Sequence, residues 1–382
     1  MATKLQPPGA FLPSILDWFR DRLGPPTAAQ SRSWPAIQRG EHVLLAAPTG
    51  SGKTLAAFLS SLNDLAAESI ESGAPLPHET RILYVSPLRA LGNDIQKNLI
   101  GPLDEIRERD PSFPEVEVLV RSGDTPAKDR ARMTKRPPHV LVTTPESLYI
   151  LLTSAGGRGV LATVRTVIID EIHAIIGSKR GAHLALSMER LDALTGAAPV
   201  QRIGLSATQK PLSAVADFLV GPSRSCTLID EGHARPMDLS IRIPDSPLQP
   251  VISHEVWGEL HVLMAELVRA HRSTLIFVNT RKVAERTARE LSAILGKERI
   301  TSHHSSLSID RRLEAENRLK AGELDALVAT ASLELGIDIG DVDLVIQVGT
   351  TRTIATLLQR IGRSGHGAVS YTHLTLPTIY SV

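Results

Sequence analysis

The sequence lacks the residues that build a disulfide framework, a cysteine-rich metal site or a membrane span. Cys226 is the only cysteine among 382 residues, which excludes an internal disulfide and any multi-cysteine zinc or iron–sulfur site. No apolar run approaches the ~20 residues that a membrane span needs. Pro13 and Asp17 interrupt the one apolar stretch near the N-terminus, so no signal-peptide pattern is present. We therefore expect a cytoplasmic protein without a membrane partner, with Cys226 as a small buried hydrophobe.

The sequence also lacks an excess of charge of one sign, and it has few aromatic residues. Lys and Arg total 42 and Asp and Glu total 41, a formal charge of +1. Overall charge alone therefore cannot draw the chain to nucleic acid or an anionic membrane, and any such binding needs a local patch. Aromatic residues make up 3 % of the chain and hydrophobic residues 42 %, so the cores must be mostly aliphatic.

Short aliphatic strands alternate with amphipathic helices along most of the chain. The first series contains the strands His42–Ala47, Arg81–Val85, Val116–Val120, His139–Val142 and Val164–Ile169, with a helix over Leu88–Leu99. The second series contains the strands Thr274–Asn279, Leu324–Thr330 and Asp343–Gly349, with helices over Lys282–Leu295 and Thr353–Arg363. Strands that alternate with helices, and are too apolar to face water on either side, predict parallel sheets covered on both faces.

This pattern predicts two α/β domains in tandem. We place the first at residues 1–225, a proline-rich connection at 226–250 and the second at 251–366. Residues 367–382 are set apart, because Tyr371–Val382 does not continue the alternation. We expect this tail to lie outside the native fold as a sequence scar; a real strand is the alternative.

Ala47–Thr54, which reads APTGSGKT, has the context of a phosphate-binding loop, since it follows a buried strand and opens a helix. Gly50 and Gly52 allow a tight turn that aims amide groups, including that of Ser51, at a phosphate, and the helix N-terminus adds partial positive charge. We expect Lys53 to reach the β- and γ-phosphates and the Thr54 hydroxyl to hold Mg²⁺. Ala47 stands where the strict pattern has its first glycine.

A second candidate site lies where the strand Val164–Ile169 ends in two acidic residues. At the carboxyl end of a parallel strand, Asp170 would reach the metal held by Thr54. Glu171 could then orient or deprotonate a water molecule that attacks the γ-phosphate. Alone, such a pair is often a solvated strand end. Together with the loop it indicates ATP hydrolysis or phosphoryl transfer, without deciding between them.

The whole series of motifs resembles a superfamily 2 DEAD/DEAH-box helicase. In order along the chain, the matching segments are Pro26-Thr27 with Gln30, APTGSGKT, SPLRAL at Ser86–Leu91, TTPE at Thr143–Glu146, DEIH, SAT at Ser206–Thr208, IFVNTR at Ile276–Arg281, ATASLELGIDIG at Ala329–Gly340 and QRIGRSGH at Gln359–His366. The resemblance covers roughly residues 12–366. SGDTP at Ser122–Pro126, SKRG at Ser178–Gly181 and the Gly-His ending of the last motif are similar to the large helicase-related (Lhr) family.

The resemblance implies two tandem RecA-like domains with ATP and Mg²⁺ in a cleft between them. It implies that Gln30 binds the adenine edge, that Asp338 touches the ribose, and that His173, Ser206 and Thr208 couple the nucleotide site to the nucleic-acid face. The residues implied to contact nucleic-acid phosphates are Arg89, Thr125, Thr144, Asn279, Arg281 and Thr330. The alternatives are helix caps for the hydroxyl residues and solvated charges for the arginines. For His303 and His304 we expect a solvated loop pair.

The last motif carries two arginines that are candidates for an arginine finger. Arg360 and Arg363 are three residues apart, so on a helix they share a face. Such guanidinium groups can stabilise transition-state charge at the γ-phosphate, with structural ion pairing as the alternative. Many family members have a further arginine where this chain has His366. Arg363 is therefore the stronger candidate, and His366 is expected to donate a hydrogen bond to the nucleotide.

The expected function is an ATP-dependent helicase that hydrolyses ATP on single-stranded DNA and unwinds duplex DNA or DNA–RNA hybrid. The resemblance favours movement from 3′ to 5′ and a role in DNA repair. An RNA helicase of the same fold, and an ATP-gated clamp without unwinding, remain alternatives. We also expect this chain to be a fragment, because members of the family continue past His366 with domains that complete the nucleic-acid channel.

Overall fold

The computed structural model describes residues 11–48, 51–87, 95, 99–196, 199–207, 211–232, 238–247, 253–296, 298–333, 342–351, 354–363 and 371–375. The chain divides into two compact units, Met1–His233 and Ala234–Val382. Over the described residues, no helix has the length and apolar character to cross a membrane. The predicted helix Leu88–Leu99 lies mostly outside these residues.

The first unit alternates strands with helices, as its sequence predicts. Its strands are β1 (Val43–Ala46), β2 (Ile82–Val85), β3 (Val118–Arg121), β4 (Val140–Thr143), β5 (Thr166–Ile169), β6 (Gln201–Ser206) and β7 (Thr227–Asp230). Its described helices are α1 (Pro13–Leu23), α2 (Ala28–Gln38), α3 (Lys53–Ser72), α4 (Gly101–Arg109), α5 (Ala127–Lys135), α6 (Pro145–Thr153), α7 (Ala155–Leu161), α8 (Lys179–Thr195) and α9 (Leu212–Val220).

The strands of the first unit form a parallel sheet in the order β3-β4-β2-β5-β6-β1-β7. β6 lies between β5 and β1: Ile169 pairs with Gly204, and Ala46 pairs with Ser206. Because all strands run the same way, the loops after β1, β5 and β6 leave from one edge of the sheet. The segments that carry Lys53, Asp170 and Ser206 therefore lie next to one another at that edge.

Both faces of this sheet are covered, but by different kinds of side chain. The face under α1 to α4 holds most of the few aromatic residues. There Trp34 makes edge-to-face contacts with Phe11 and Phe19, at centroid distances of 5.0 and 5.4 Å. The opposite face, under α6 to α9, is aliphatic. Both clusters are mostly aliphatic, as expected, and the aromatic residues are concentrated on one face.

Cys226 lies half-buried beside the aliphatic cluster of the first unit. Burial raises the pKa of its thiol to about 11. The side chain therefore stays a neutral thiol at ordinary pH, which agrees with the expected role of a small hydrophobe.

The second unit repeats the parallel design. Its elements are β8 (Asp238–Arg242), α10 (His254–Arg269), β9 (Thr274–Phe277), α11 (Arg281–Leu295), β10 (Ile300–His303), α12 (Ile309–Lys320), β11 (Ala326–Ala329), β12 (Leu344–Val348), α13 (Ile354–Ile361) and β13 (Tyr371–Thr375). The strand order is β10-β11-β9-β12-β13-β8, again parallel. Alternate residues of β9 enter the clusters on the two faces, Ile276 on one and Leu275 with Phe277 on the other. The prediction of parallel sheets covered on both faces is confirmed.

The connection between the units is shorter than predicted. β7 pairs with β1 from Val43↔Thr227 onward, and β8 joins the second sheet. Two segments of the stretch 226–250, Thr227–Asp230 and Asp238–Arg242, thus belong to sheets. Their backbone groups find strand partners that proline content alone does not reveal.

The tail also differs from expectation in its backbone. Tyr371–Thr375 forms β13 between β12 and β8, with Leu344↔Tyr371 and Tyr371↔Asp238 in register. The placement of these five residues outside the fold is therefore wrong at the level of backbone pairing. That Tyr371–Val382 is not native sequence stays a prediction, and residues 376–382 lie outside the described residues.

Candidate nucleotide site and nucleic-acid interface

The loop after β1 holds a lysine at the start of a helix. Gly52 has φ +79°, which favours glycine, and Lys53 is the first residue of α3. The Lys53 ammonium donates to the carbonyl oxygens of Ala47 at 2.5 Å and Pro48 at 2.8 Å. The cation thus lies inside the loop, where a phosphate would compete for its donors. Gly50 lies outside the described residues.

Gln30 connects α2 to this loop. In a capping box, Gln30 N donates to Thr27 Oγ1 at 3.3 Å, and Gln30 Oε1 accepts from Thr27 N at 2.9 Å. Gln30 Nε2 reaches Gly52 O at 3.5 Å, and Thr27 Oγ1 donates to Ser51 O at 2.8 Å. A Cβ on Gly52 would lie 2.5 Å from Gln30 Nε2. The predicted contact of Gln30 with adenine stays a prediction, whereas its packing on the phosphate loop is observed.

Asp170 follows β5 and receives two hydrogen bonds. Its carboxylate accepts from the hydroxyl of Tyr84 on β2 and from Glu171 N at 2.9 Å. Burial, followed by the charge of Glu171, raises the pKa of Asp170 to about 6, although the Tyr84 hydrogen bond and the Lys53 charge act against this. A desolvated carboxylate with hydroxyl oxygens such as that of Thr54 suits a hard cation. The residues present therefore fit Mg²⁺.

Glu171 has an unusual backbone. Its φ of +47° is the only positive value among the non-glycine residues that the structure describes. A left-handed conformation at a residue other than glycine costs about 1–3 kcal/mol and is concentrated at functional sites. This turn directs the chain into the short helix Ile172–Ala174. Sequence gives no sign of this strain, which singles out Glu171 from the many other acidic residues.

His173 links the acidic pair to the loop after β6. Its Nδ1 accepts from Ala207 N at 3.0 Å, so the proton of the neutral ring lies on Nε2. Nε2 faces Glu171 Oε2 at 3.3 Å, and the His173 side chain is 4 % exposed. Burial, followed by the Lys53 charge, lowers the pKa of His173 to about 4. A neutral histidine thus lies between Glu171 and the segment that begins at Ser206.

Ser206 is buried at the end of β6, and its hydroxyl donates to Ala207 O at 2.7 Å. This segment therefore begins beside the residue that binds His173, which supports the expected coupling role. Thr208, Asp338 and His366 lie outside the described residues, as does Arg89.

The threonines expected to bind phosphates in the first unit bond to the local backbone. Thr144 caps α6 by accepting from Ser147 N at 3.3 Å and is buried. Thr125 Oγ1 accepts from Ser122 N at 2.9 Å in the turn before α5. The helix-cap alternative is therefore observed for Thr144. Both loops leave the same edge of the sheet as the phosphate loop.

In the second unit, the three candidates follow β9 and β11. Asn279 Nδ2 donates to Thr350 O at 2.9 Å, and Arg281 Nη1 donates to Ser306 Oγ at 2.5 Å. The backbone N–H of Thr330 donates to His303 O at 3.2 Å. The sheet thus brings the three residues to one edge. Their predicted contact with nucleic acid stays a prediction.

Arg360 and Arg363 have different surroundings. Arg360 Nη1 donates to Gln347 Oε1 at 2.6 Å, and its guanidinium lies 5.0 Å from the centroid of the Phe277 ring. Arg363 is also buried, but it follows the end of α13. Its backbone N–H donates to the backbone carbonyl oxygen of Arg360 at 3.1 Å. Arg360 is therefore tied to the core of its own unit. The predicted helix Thr353–Arg363 thus ends two residues early, at Ile361, and Arg363 lies in the turn that follows. That the two guanidinium groups share a face stays a prediction.

His303 and His304 are not a solvated loop pair, so that expectation is wrong. Both side chains are buried. His303 Nδ1 contacts Ser332 Oγ at 2.8 Å and His303 Nε2 contacts Glu316 Oε1 at 3.0 Å. His304 Nε2 lies 3.1 Å from Glu285 Oε1. The partners come from α11, α12 and the turn after β11, which no local sequence pattern could reveal. Across the described residues, no group of three potential ligands is placed to hold a metal ion.

Comparisons with known proteins identify two helicase domains in the chain. Residues 27–216 match the DEAD/DEAH box helicase model, and residues 258–368 match the helicase conserved C-terminal domain model. The chain is 45 % identical to the ATP-dependent helicase Lhr-Core of Methanocaldococcus jannaschii, over 92 % of this chain and 42 % of that protein. It is 43 % identical to the Lhr helicase/uracil glycosylase of Escherichia coli, over 95 % of this chain and 27 % of that protein.

A solved structure gives the same result for the fold. The Mycobacterium smegmatis helicase Lhr, solved with ssDNA and AMP-PNP, is 44 % identical with a TM-score of 0.83, over 97 % of this chain and 48 % of that chain. The two units therefore have the tandem RecA-like fold that the sequence predicts. The chain spans less than half the length of these relatives.

Proposed function

The chain belongs to the DEAD/DEAH-box helicase family, and from this premise we propose that it hydrolyses ATP to move along single-stranded DNA. The observation that supports this most is the strained Glu171 beside Asp170 and the neutral His173. A left-handed glutamate next to a carboxylate that burial destabilises is expensive to maintain. Such an arrangement is expected where a carboxylate must position a water molecule for attack on the γ-phosphate.

Each group of the first unit has a distinct proposed role. Lys53 binds the β- and γ-phosphates, since its ammonium already lies within the loop. Thr54 and Asp170 hold Mg²⁺, which neutralises phosphate charge when bound. Glu171 orients the attacking water and accepts its proton. The neutral N–H of His173 faces the Glu171 carboxylate and holds its orientation without supplying positive charge.

The second unit is proposed to supply Arg363 for the transition state. The Arg360 guanidinium contacts Gln347 and Phe277, which favours a structural role for Arg360. Arg363 lies one turn further along the chain and is the better candidate for the γ-phosphate. This assignment keeps the ranking of the two arginines that the sequence predicts, with Arg363 as the stronger candidate.

DNA is proposed as the substrate because the M. smegmatis relative, 44 % identical, was solved with ssDNA. We further propose 3′ to 5′ movement, unwinding of duplex DNA or DNA–RNA hybrid, and a role in DNA repair. These finer assignments come from the Lhr resemblance. The residues proposed to bind nucleic acid contact its sugar–phosphate backbone, so they supply affinity without sequence preference.

The test is steady-state ATP hydrolysis with single-stranded DNA, single-stranded RNA of the same sequence, or neither. We expect DNA to stimulate hydrolysis. Stimulation by RNA alone would replace DNA with RNA as the substrate, and DNA binding without single-turnover hydrolysis would indicate a clamp. Strand displacement on 3′-tailed and 5′-tailed duplexes, including a DNA–RNA hybrid, then tests direction and substrate.

A further inference from the structure

Helix α5 presents a row of basic side chains to solvent. Lys128, Arg132 and Lys135 are spaced i, i+4 and i+7, so they lie on one helical face, and all three are exposed. Met133, on another face, packs into the aliphatic cluster of the first unit. We refer to Lys128, Arg132 and Lys135 as the α5 stripe.

The cations of the α5 stripe have no acidic partner within the described part of the chain. None of the three lies within ion-pairing distance of a described carboxylate. Other surface arginines of this unit do pair: Arg165 with Glu68 at 2.7 Å, and Arg180 with Glu146 at 2.6 Å. In a protein with a formal charge of +1, a helix with an unpaired basic face is a local feature. It leaves the charge available to an outside polyanion.

Neighbouring residues add to this positive charge. Residues 121–136 contain six basic and two acidic residues. Arg130 donates from Nε to Thr125 O at 2.7 Å and from Nη2 to Gly123 O at 2.8 Å, which fixes the loop that opens α5. Burial, followed by repulsion from Arg130, lowers the pKa of Arg121. Positive groups thus crowd here, with Asp124 and Asp129 as the only nearby acids in sequence.

The α5 stripe follows closely after one of the residues expected to contact nucleic-acid phosphates. The loop after β3 contains Thr125, a candidate phosphate contact, and the stripe begins three residues later. The helical rise places Lys128 and Lys135 roughly 10 Å apart along the axis, which is about three phosphates of one DNA strand. We propose that the α5 stripe is an additional contact for the phosphate backbone of the DNA that leaves the track at Thr125.

This inference rests on the proposed function and is tested by the salt dependence of DNA binding. The variant carries Lys128→Gln, Arg132→Gln and Lys135→Gln, since glutamine removes charge but favours helix. Affinity for a short and a long oligothymidylate is measured by fluorescence anisotropy across a salt series. For the long strand, losing three contacts should reduce the slope of log K against log salt by about 2. The parent should then lose roughly twentyfold more affinity than the variant between about 50 and 200 mM salt.

The matched control removes three arginines from the opposite side of the same sheet. Arg20 and Arg22 lie on α1 and Arg107 on α4, and the buried side chains of both helices pack on the other face. Arg20→Gln, Arg22→Gln and Arg107→Gln should leave the slope within about 0.5 of the parent. Circular dichroism melting of each variant checks that α5 and the unit remain folded.

The outcomes separate this inference from the proposed function. If the parent binds DNA and the α5 variant keeps the parent slope, the α5 stripe is not a DNA contact, and an acidic protein would be the better partner. An equal loss in the control variant would also overturn it, since the effect would then reflect overall charge. Failure of the parent to bind DNA at any salt would remove the proposed function, and this inference with it.

Discussion

The acidic strand end of the first unit, Asp170 and Glu171, can be compared with the buried His303–Glu316 pair of the second. Asp170 follows β5 directly and His303 is the last residue of β10, so each group includes the carboxyl end of a parallel strand. In the first unit the charges oppose one another, because burial and the Glu171 charge together raise the pKa of Asp170. In the second, complementary groups meet, with His303 Nε2 at 3.0 Å from Glu316 Oε1. One strand end thus holds two acidic groups close together, whereas the other pairs a histidine with a carboxylate.

From this difference we propose that the strand end of the first unit performs chemistry and that the His303–Glu316 pair connects structural elements. Unfavourable charge and backbone strain persist only where the surrounding fold maintains them, and a bound cation would relieve the repulsion between the two carboxylates. Satisfied buried pairs connect elements instead. His303 joins β10 to α12 and to the turn Ala331–Leu333, through Glu316 and Ser332.

The largest expected effect is on ATP hydrolysis, after a substitution at the acidic strand end of the first unit. Glu171→Gln removes the proton acceptor but keeps the shape of the side chain. Single-turnover hydrolysis should slow by on the order of 10²–10⁴-fold, while ATP affinity stays at the parent level. Glu290→Gln, which disrupts an exposed pair with Arg289 outside the helicase motifs, is the matched control. Hydrolysis by Glu171→Gln at the parent rate would exclude it as the general base.

The next prediction contrasts the two arginines of the second unit. Arg363→Ala should lower kcat by on the order of 10³-fold, as loss of an arginine finger does. Arg360→Ala should instead lower the free energy of unfolding by about 1–3 kcal/mol, because it leaves Gln347 Oε1 without this donor. The measurements are kcat well below the melting temperature and urea unfolding. A larger fall in kcat for Arg360→Ala than for Arg363→Ala, in folded protein, would reverse the assignment.

The next prediction concerns the His303–Glu316 pair of the second unit, which is lost when His303 is replaced. His303→Ala leaves Glu316 buried without this partner, so the free energy of unfolding should fall by about 3 kcal/mol. His304→Ala is the matched control, because its partner Glu285 is 62 % exposed and can turn to water. Urea unfolding of both variants makes the comparison. Equal losses would mean that the Glu316 contact adds nothing beyond burial of the ring.

The smallest expected effect is a change in pH dependence. The pKa of His173 is lowered to about 4 in the folded protein, so the unfolded chain binds its proton first and stability falls as pH drops from about 6.5 to 4. The pKa of Asp170 is raised to about 6, so the folded state binds its proton first and stability rises over a similar range. The two contributions oppose each other and each is at most about 3 kcal/mol.

Single substitutions should separate these two opposing contributions to the pH dependence of stability. On acidification from about pH 7 to about pH 4.5, urea midpoints should fall more steeply for Asp170→Asn than for the parent. They should fall less steeply for His173→Asn. Parallel curves for all three proteins would show that neither pKa is shifted in the folded state.

Sequence predicted the parts of this comparison that depend on local pattern. Aliphatic strands, the Lys53 loop and the Asp170–Glu171 strand end are contiguous, so their spacing reveals them. The burial of His303 depends on Glu316 in another element and on Ser332 after a third, and no contiguous pattern encodes that meeting. The strain at Glu171 was also hidden, because the residue type alone says nothing of its φ.

The position of β1 in the sheet has a consequence for how the protein acquires its nucleotide site. β1 carries the phosphate loop and comes first in the sequence, yet its neighbours are β6 and β7, the last strands of the unit. Contacts between such distant segments form slowly, because a long stretch of chain must be closed before they add stability. The strand that presents Lys53 is therefore held on both sides only after nearly the whole unit has folded. A ribosome-bound chain that stops before Gln201 should lack a stable ATP site, so nucleotide binding would report completion of the unit.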